Sequence, residues 1–276
     1  TNVVLECRVG ETVRPAVIAW LGAGRHHLTL FKRSEANAGT VSFRGVELAD
    51  GARVWTATPP AYKLAIEFIG DSITAGACDE DGPLDQWDDR RTHNAALSYA
   101  AITTQALGAE HRNIAVSGMG IITGYVEVKA GEVWDRIYPR ANSPRVDLSK
   151  WRPQVVFVNL GENDNSYPST RKEPFPPGFT DGYVALVRAI RSGYPSAQIV
   201  LLRGGMFGGA RSATLRAAWE AAVAQLEGSD GAVHHYVFTH WTMTHPRVPD
   251  HAAMATELVD WLKTQDFMKA YGVAGK

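Results

Sequence analysis

Four short stretches of this chain carry residue types that combine in acyl transfer: Gly70-Asp71-Ser72, Ser117-Gly118, Gly161-Glu162-Asn163-Asp164 and Thr244-His245-Pro246. They supply a hydroxyl, a glycine amide, a side-chain amide and an imidazole. A serine hydroxyl attacks a carbonyl only when a base takes its proton, and an imidazole, with an ordinary pKa near 6.5, does this at neutral pH. The tetrahedral intermediate then concentrates negative charge on one oxygen. Donors aimed at that oxygen, such as a Gly N–H and an Asn side chain, each lower the barrier by about 3 kcal/mol in comparable sites.

The first three stretches directly follow strand-like runs, and the fourth lies a few residues past another. The runs are Leu64 to Ile69, Asn113 to Val116, Val155 to Leu160, Gln198 to Leu202 and Val233 to Thr239, with helices expected between them. A helix over Ser212 to Glu227 puts Leu215, Trp219, Val223 and Leu226 on one face; the C-terminal helix does the same with Met254, Leu258, Trp261 and Leu262. Uniformly apolar strands separated by amphipathic helices suit a parallel sheet covered on both faces, so the sequence predicts a doubly wound α/β domain. In such a sheet, ligands sit outside the carboxyl ends of the strands.

The first sixty residues read differently. Val3-Val4-Leu5, Ala16 to Trp20, His27 to Phe31 and Val41 to Leu48 are short β-prone runs broken by polar or Gly-rich turns, an antiparallel pattern. Pro59-Pro60 breaks the chain, and a domain boundary is expected between Pro59 and Lys63. That gives an N-terminal β module over 1–62 and an α/β domain over 63–276.

Composition narrows the partners. With 45% hydrophobic and 21% charged residues the chain can bury a large core. Twenty-eight basic against 29 acidic side chains, with no basic block, argue against nucleic acid or an anionic membrane as the partner. No apolar run approaches the roughly 20 residues of a bilayer-spanning helix. Cys7 and Cys78 stand far apart without a CxxC pair, so neither a disulfide scaffold nor a thiolate zinc site is indicated. The residues from Thr1 to Glu6 show no basic segment followed by an apolar core, which leaves the compartment open. Nothing in the sequence sets an oligomeric state.

In four ordered blocks the chain resembles the SGNH (GDSL) hydrolases: Gly70-Asp71-Ser72-Ile73-Thr74, Gly118, Gly161-Glu162-Asn163-Asp164 and His245-Pro246, within about residues 64 to 264. The resemblance implies Ser72 as nucleophile and His245 as base, with the Ser72 N–H, the Gly118 N–H and Asn163 forming the oxyanion hole. Ile66 to Thr74, Thr92-His93-Asn94-Ala95, Ala115 to Gly120 and Phe31-Lys32-Arg33-Ser34-Glu35 also look like the second family of carbohydrate esterases, the acetyl xylan esterase type. That narrower likeness implies deacetylation of xylan- or mannan-type glycans by a small jelly roll packed on an SGNH domain, in a secreted or periplasmic enzyme. A full jelly roll has eight strands, about twice what is visible before Pro59, so the module is expected to be partial or reduced. Acyl transfer through Ser72 and His245 requires no metal or organic cofactor.

One departure matters for mechanism. The wider family usually has Asp three residues before the catalytic His, and here that position is Thr242. A threonine supplies no anion; the likeness to the second family of carbohydrate esterases, some of whose members work with a Ser and His dyad, implies a Ser72–His245 dyad with the ring oriented by a backbone carbonyl, with Asp250 or Glu162 as alternative partners of the imidazole.

Each candidate also has a purely structural reading. Ser72 could cap a helix starting at Ile73, Asn163 could fix a tight turn, and Gly118 could be a turn glycine. His234, His235, His240 and His251 compete with His245; His234 and His235 are strand neighbours pointing to opposite faces, and His251 reads as structural. Asp164 reads as a loop fixer, Asn94 as a helix cap, Cys78 as an ordinary buried thiol and Asp79-Glu80-Asp81 as a solvated loop. Of Trp87, Trp134 and Trp241, only Trp241, four residues before His245, is placed by sequence to line a sugar pocket. Two rival functions remain: metal-assisted hydrolysis by the histidines of 234–251, which lack HxxxH spacing, and a carbohydrate-binding protein with a degenerate hydrolase domain, suggested by Thr242.

Overall fold

The computed structural model describes residues 3–9, 12–18, 22, 24–48, 50–55 and 60–273. Its chain divides into two compact units, 1–32 and 33–276. The first contains an antiparallel hairpin of β1 (Val3–Val9) and β2 (Thr12–Ile18), in register from Val3 opposite Ile18 to Val9 opposite Thr12. Trp20 and Pro59 lie outside the described residues.

Two expected strands are absent. Residues 27–31 and 41–48 form no ladder, and their Leu28, Leu30, Phe31, Val41, Phe43, Val46 and Leu48 side chains are exposed. Apolar alternation makes a strand only where a neighbouring edge supplies hydrogen-bond partners, and among the described residues none does so here. Residues 33–38 are fastened elsewhere: Ala95 N–H donates to Arg33 O (2.8 Å), Asn37 Nδ2 to Ser117 O (2.8 Å) and Ser117 N–H to Glu35 Oε2 (3.2 Å).

The second unit is built on five parallel strands: β3 (Ala65–Gly70), β4 (Glu110–Ala115), β5 (Val155–Asn159), β6 (Gln198–Met206) and β7 (Val233–Thr242). Their order is β4-β3-β5-β6-β7, the flavodoxin-like arrangement of a doubly wound sheet. Helices α1 (Ser72–Ala75) and α2 (Tyr99–Ala106) follow β3, α3 (Ala130–Val133) follows β4, and α4 (Glu162–Thr170) and α5 (Phe179–Gly193) follow β5. After β6 come α6 (Phe207–Arg211) and α7 (Ala213–Glu227), and after β7 come α8 (Val248–Thr264) and α9 (Asp266–Lys269).

Alternation along the buried strands splits the core in two. Ile69, Val156, Val158, Ile199 and Leu201 face a cluster with α5 and α7, including Val187, Ile190, Leu215, Trp219, Val223 and Leu226. Ile66, Phe68, Val155, Phe157, Val200 and Leu202 face Tyr99, Met254, Leu258 and Leu262 of α2 and α8. Burying these side chains at about 25 cal/mol per Å² of apolar surface is the main force holding the sheet flat against its helices. The helix faces read from the sequence are the ones buried, apart from Trp261 at the edge of the second cluster. The strand order reverses around β3, so the crevice above β3 and β5 is where a site is expected.

Candidate active site

Ser72 opens α1 directly above β3 and is nearly buried. The cap of this helix is Asp71, whose Oδ1 accepts the Ile73 N–H at 3.0 Å, so the capping role considered for Ser72 falls to its neighbour. As the first helical residue, Ser72 has no intrahelical acceptor for its own N–H. The turn is tight: a Cβ on Gly70 would stand 2.1 Å from Thr74 Oγ1. Any side chain there would push α1 off the strand.

Gly118 sits in the loop after β4 with φ 83°, a conformation that favours glycine. Its carbonyl accepts the Tyr125 N–H at 2.8 Å, while its own N–H donates to none of the described residues. Three successive amides of the same loop, Ile121, Ile122 and Thr123, donate to the Asp164 carboxylate at 2.8, 2.7 and 3.0 Å. Asp164 therefore fixes the loop, as its position predicts. Asn163, one residue earlier at the start of α4, joins the two stretches. Its Nδ2 donates to Met119 O (2.9 Å), beside Gly118, and to Asp71 Oδ2 (3.2 Å), beside Ser72. Ser72, Gly118 and Asn163 are thus brought to one rim. Burial, reinforced by the charges of Glu162 and Asp164 against the opposing Ile73 N–H bond, pushes the Asp71 carboxyl up to about 8.

His245 lies past the end of β7, and the structure corrects the expected dyad. Its Nδ1 is 2.7 Å from Asp85 Oδ2, a carboxylate from the long connection between α1 and α2. The other oxygen, Asp85 Oδ1, pairs with Arg247 at 2.8 Å. Burial alone would raise the Asp85 pKa, but the His245 and Arg247 contacts outweigh it and hold the carboxyl down to about 2. Asp85 is therefore an anion across the working pH range.

Neither alternative partner of the imidazole reaches it. Asp250 binds His240 Nε2 (2.8 Å) and the Arg247 N–H (2.8 Å). Glu162 accepts the N–H groups of Gly208 (3.0 Å) and Gly209 (2.7 Å) at the start of α6. Thr242 Oγ1 donates to Thr244 O at 2.6 Å and so shapes the turn that carries His245.

The competing histidines are engaged elsewhere. His234 meets Gln198 (2.7 Å) and stacks on Phe267, and His235 meets Glu227 (2.7 Å). His251 is buried, its Nδ1 accepts the Tyr99 N–H at 3.1 Å, and burial pushes its pKa down to about 3. Asn94 caps the 3₁₀ turn Ala95–Leu97.

Trp241 packs edge-on against Phe207 (6.1 Å) with Arg211 above its ring (5.3 Å). The tryptophan against His245 is instead Trp87, whose ring lies 5.6 Å from the imidazole, tilted by 30°. The run 79–81 is not a uniformly solvated loop either, because Asp79 is buried and its carbonyl accepts the Val248 N–H at 3.0 Å. Cys78 is buried with φ 59°, and its Sγ, an Asp85 oxygen and a His245 nitrogen all lie within 4.8 Å of one another.

Asp85 escaped the sequence reading for a definite reason. The stretch 79–89 holds six carboxylates, Asp79, Glu80, Asp81, Asp85, Asp88 and Asp89, and in irregular chain no periodicity ranks them.

Fold and rim together define a class: a flavodoxin-like α/β hydrolase with serine at the first strand-to-helix turn, an imidazole held by a carboxylate, and amides gathered around the serine. A model of the GDSL-like lipase/acylhydrolase family matches residues 68–256, and the chain belongs to that family.

Among curated proteins, the cellulase/esterase CelE of Acetivibrio thermocellus is 37% identical over 196 residues, covering 70% of this chain and 23% of its own length. An acetylxylan esterase / glucomannan deacetylase of Cellvibrio japonicus is 27% identical over 265 residues, covering 88% of this chain and 70% of its own. Among solved structures, a family two carbohydrate esterase from Clostridium thermocellum in complex with cellohexaose superposes with a TM-score of 0.67 at 31% identity, covering 75% of this chain and 66% of that one.

Proposed function

We propose that this chain is a serine esterase that removes O-acetyl groups from carbohydrates of the xylan and mannan type. The observation that carries the reading is the 2.7 Å contact of His245 Nδ1 with Asp85, an anion paired on its other side with Arg247. A carboxylate on Nδ1 keeps the proton there, which leaves Nε2 as the free base and stabilises the imidazolium once it forms. Ser72 loses its proton to Nε2 as its oxygen attacks the acetyl carbonyl. The oxyanion is received by the N–H groups of Ser72 and Gly118 and by Asn163, whose Nδ2 exchanges its long 3.2 Å bond to Asp71 for the developing charge. His245 then returns the proton to the departing sugar hydroxyl, and water releases acetate from the acyl-serine by the same path.

Asp85 also removes the motive for reading the domain as a degenerate scaffold, since the carboxylate missing at position 242 is supplied from another loop. The names of the relatives support the substrate class. Trp241 with the half-exposed Phe207 offers a flat apolar surface suited to a sugar ring.

The test is acetate release from acetylated xylan, acetylated glucomannan and p-nitrophenyl acetate by wild type and Ser72→Ala. Turnover of the glycans by wild type, lost in the variant, is the expected result. A wild type inactive on all three would refute the reading.

A further inference from the structure

We propose that Cys78, Asp85 and His245 form an inhibitory site for a borderline-soft divalent cation of the zinc type. The binding depends on these three groups alone; the inhibition rests on the role given to His245 above.

The donor set selects the ion. One sulfur, one imidazole nitrogen and one carboxylate oxygen converge within 4.8 Å of one another, a combination that suits Zn²⁺ and its neighbours and not the hard, oxygen-seeking Mg²⁺ or Ca²⁺. Bond lengths of 2.0–2.3 Å in a tetrahedral arrangement put ligand atoms about 3.3–3.6 Å apart. His245 Nδ1 and Asp85 Oδ2, now 2.7 Å apart, would open by about 0.6 Å for such an ion, and Sγ would move inward by up to about 1.3 Å.

The site has a closed floor and an open mouth. Cys78 is fully buried, whereas the side chains of His245 and Asp85 keep 16% and 27% exposure, so an ion enters past the imidazole and the fourth position faces water. Cys78 stands in the left-handed region at φ 59°, a conformation that side-chain-bearing residues seldom take without a local reason. Its sulfur lies 3.6 Å from His93 Nε2 and within 4.8 Å of an Asp85 oxygen and a His245 nitrogen. Arg247 remains on Asp85 Oδ1, which leaves Oδ2 as the ligating oxygen.

The consequence follows from tautomers. The ion takes the place of the proton that Nδ1 shares with Asp85, and the Cys78 thiol proton leaves to solvent as sulfur binds. A neutral imidazole coordinated through Nδ1 carries its one proton on Nε2, so Nε2 no longer accepts a proton from Ser72. A triad forced into the wrong tautomer loses about four orders of magnitude in rate. The inhibitory ion therefore needs no contact with the serine or the substrate.

The experiment has two readouts. After chelator treatment, Zn²⁺ is titrated against p-nitrophenyl acetate turnover by wild type and Cys78→Ser. Wild type should lose about 10²-fold or more of its activity at saturation and regain it with EDTA, with Mg²⁺ inert. Cys78→Ser should keep basal activity and need at least about tenfold more Zn²⁺ for half-inhibition.

Separately, Co²⁺ serves as a spectroscopic probe on wild type, where a thiolate-to-cobalt charge-transfer band is expected. This readout requires no turnover, so it stands even if the esterase reading fails, and it requires no variant to fold. Absence of that band at millimolar Co²⁺ overturns the site. Equal Zn²⁺ sensitivity of wild type and Cys78→Ser overturns the assignment of the inhibition to this site.

Discussion

The loop after β4 and the long connection after β3 meet at the same rim but are held in place by different kinds of bond. Residues 116–124 are fixed through their backbone: Asp164 takes three amides, Glu35 takes the Ser117 N–H, and Gly118 O closes a turn with Tyr125. The part of the 76–98 connection that meets His245 is held through side chains, although backbone bonds such as Asn94 N–H to Gly76 O (2.9 Å) and Glu80 N–H to Thr92 O (3.0 Å) tie its ends together. Asp85 bridges His245 and Arg247, and Trp87 lies against the rings of both His93 (5.4 Å) and His245 (5.6 Å) with Arg90 over its face (4.5 Å). The difference suits the work proposed for each region. Donors for an oxyanion must already point correctly before the charge appears, and backbone pinning provides that. A base that takes and returns a proton needs a partner whose charge is steady while its own changes, and a side-chain anion provides that.

The largest effect should come from removing what both regions serve. Ser72→Ala is expected to lower kcat/KM for p-nitrophenyl acetate by about 10⁴–10⁶-fold, and His245→Ala by a similar factor, because in the proposed mechanism nucleophile and base act as one unit. Steady-state kinetics on the two single variants and the double variant check this. Losses that multiply in the double variant would mean that the two residues do not share a step.

The next effect separates the side-chain-held half. Asp85→Asn should reduce kcat by about 10²–10⁴-fold with little change in KM, since an amide on Nδ1 neither fixes the tautomer nor stabilises the imidazolium. Asp250→Asn, which touches only the His240 and Arg247 contacts, should stay within about fivefold of wild type. If the two variants were equally active, the contrast between the regions would disappear.

The backbone-held half should fail mainly in stability. Asp164→Ala strands three amide donors at a site where the carboxylate is fully buried, and each buried donor left unpaired costs about 1–3 kcal/mol. Water entering the gap recovers part of this, so a loss of about 3 kcal/mol in chemical denaturation is expected. Asp164→Asn keeps one acceptor oxygen and should lose less. A loop as mobile in wild type as in Asp164→Ala, by hydrogen exchange, would contradict the backbone-pinning account.

The same contrast governs what the sequence shows. Ser72, Gly118 and Asn163 follow strand ends, so the strand–helix rhythm locates them, and the middle of the sheet is legible for the same reason: β3, β5 and β6 are buried on both faces and spelled mainly in apolar residues, whereas the edge strands β4 and β7 are more polar and partly exposed. Asp85 and Trp87 act from irregular chain. Their positions are set by side-chain contacts with His245 and His93, residues distant in sequence or hidden among other loop residues, and no periodicity encodes such a match. The strands expected over 27–31 and 41–48 mark the opposite limit. There the apolar pattern is present, but alternation specifies which face a strand would bury and not whether an edge stands beside it.

The smallest effect tests the electrostatics of the 71–98 stretch, where Asp71 and Asp85 are displaced in opposite directions. Asp85 is held down to about 2 by its hydrogen bonds and the charges of His245 and Arg247, against its burial; Asp71 is pushed up to about 8, chiefly by burial. Because the folded pKa of Asp85 lies below its unfolded value near 3.8, its ion pair stabilises the fold at any pH above that value and is lost as pH falls toward 2. Asp71 works the other way. Its folded form keeps a proton that the unfolded chain releases near pH 3.8, so its contribution weakens the fold progressively as pH rises from about 4 to 8.

Asp85→Asn should therefore cost about 1–2 kcal/mol at pH 7, after discounting for its partial exposure, and progressively less in acid. Carboxyl-carbon NMR should find Asp85 ionised at pH 4 while Asp71 is still protonated at pH 6. Titration of both near pH 4 would show that neither the ion pair nor the burial controls these groups, and the distinction between the two kinds of support would lose its electrostatic half.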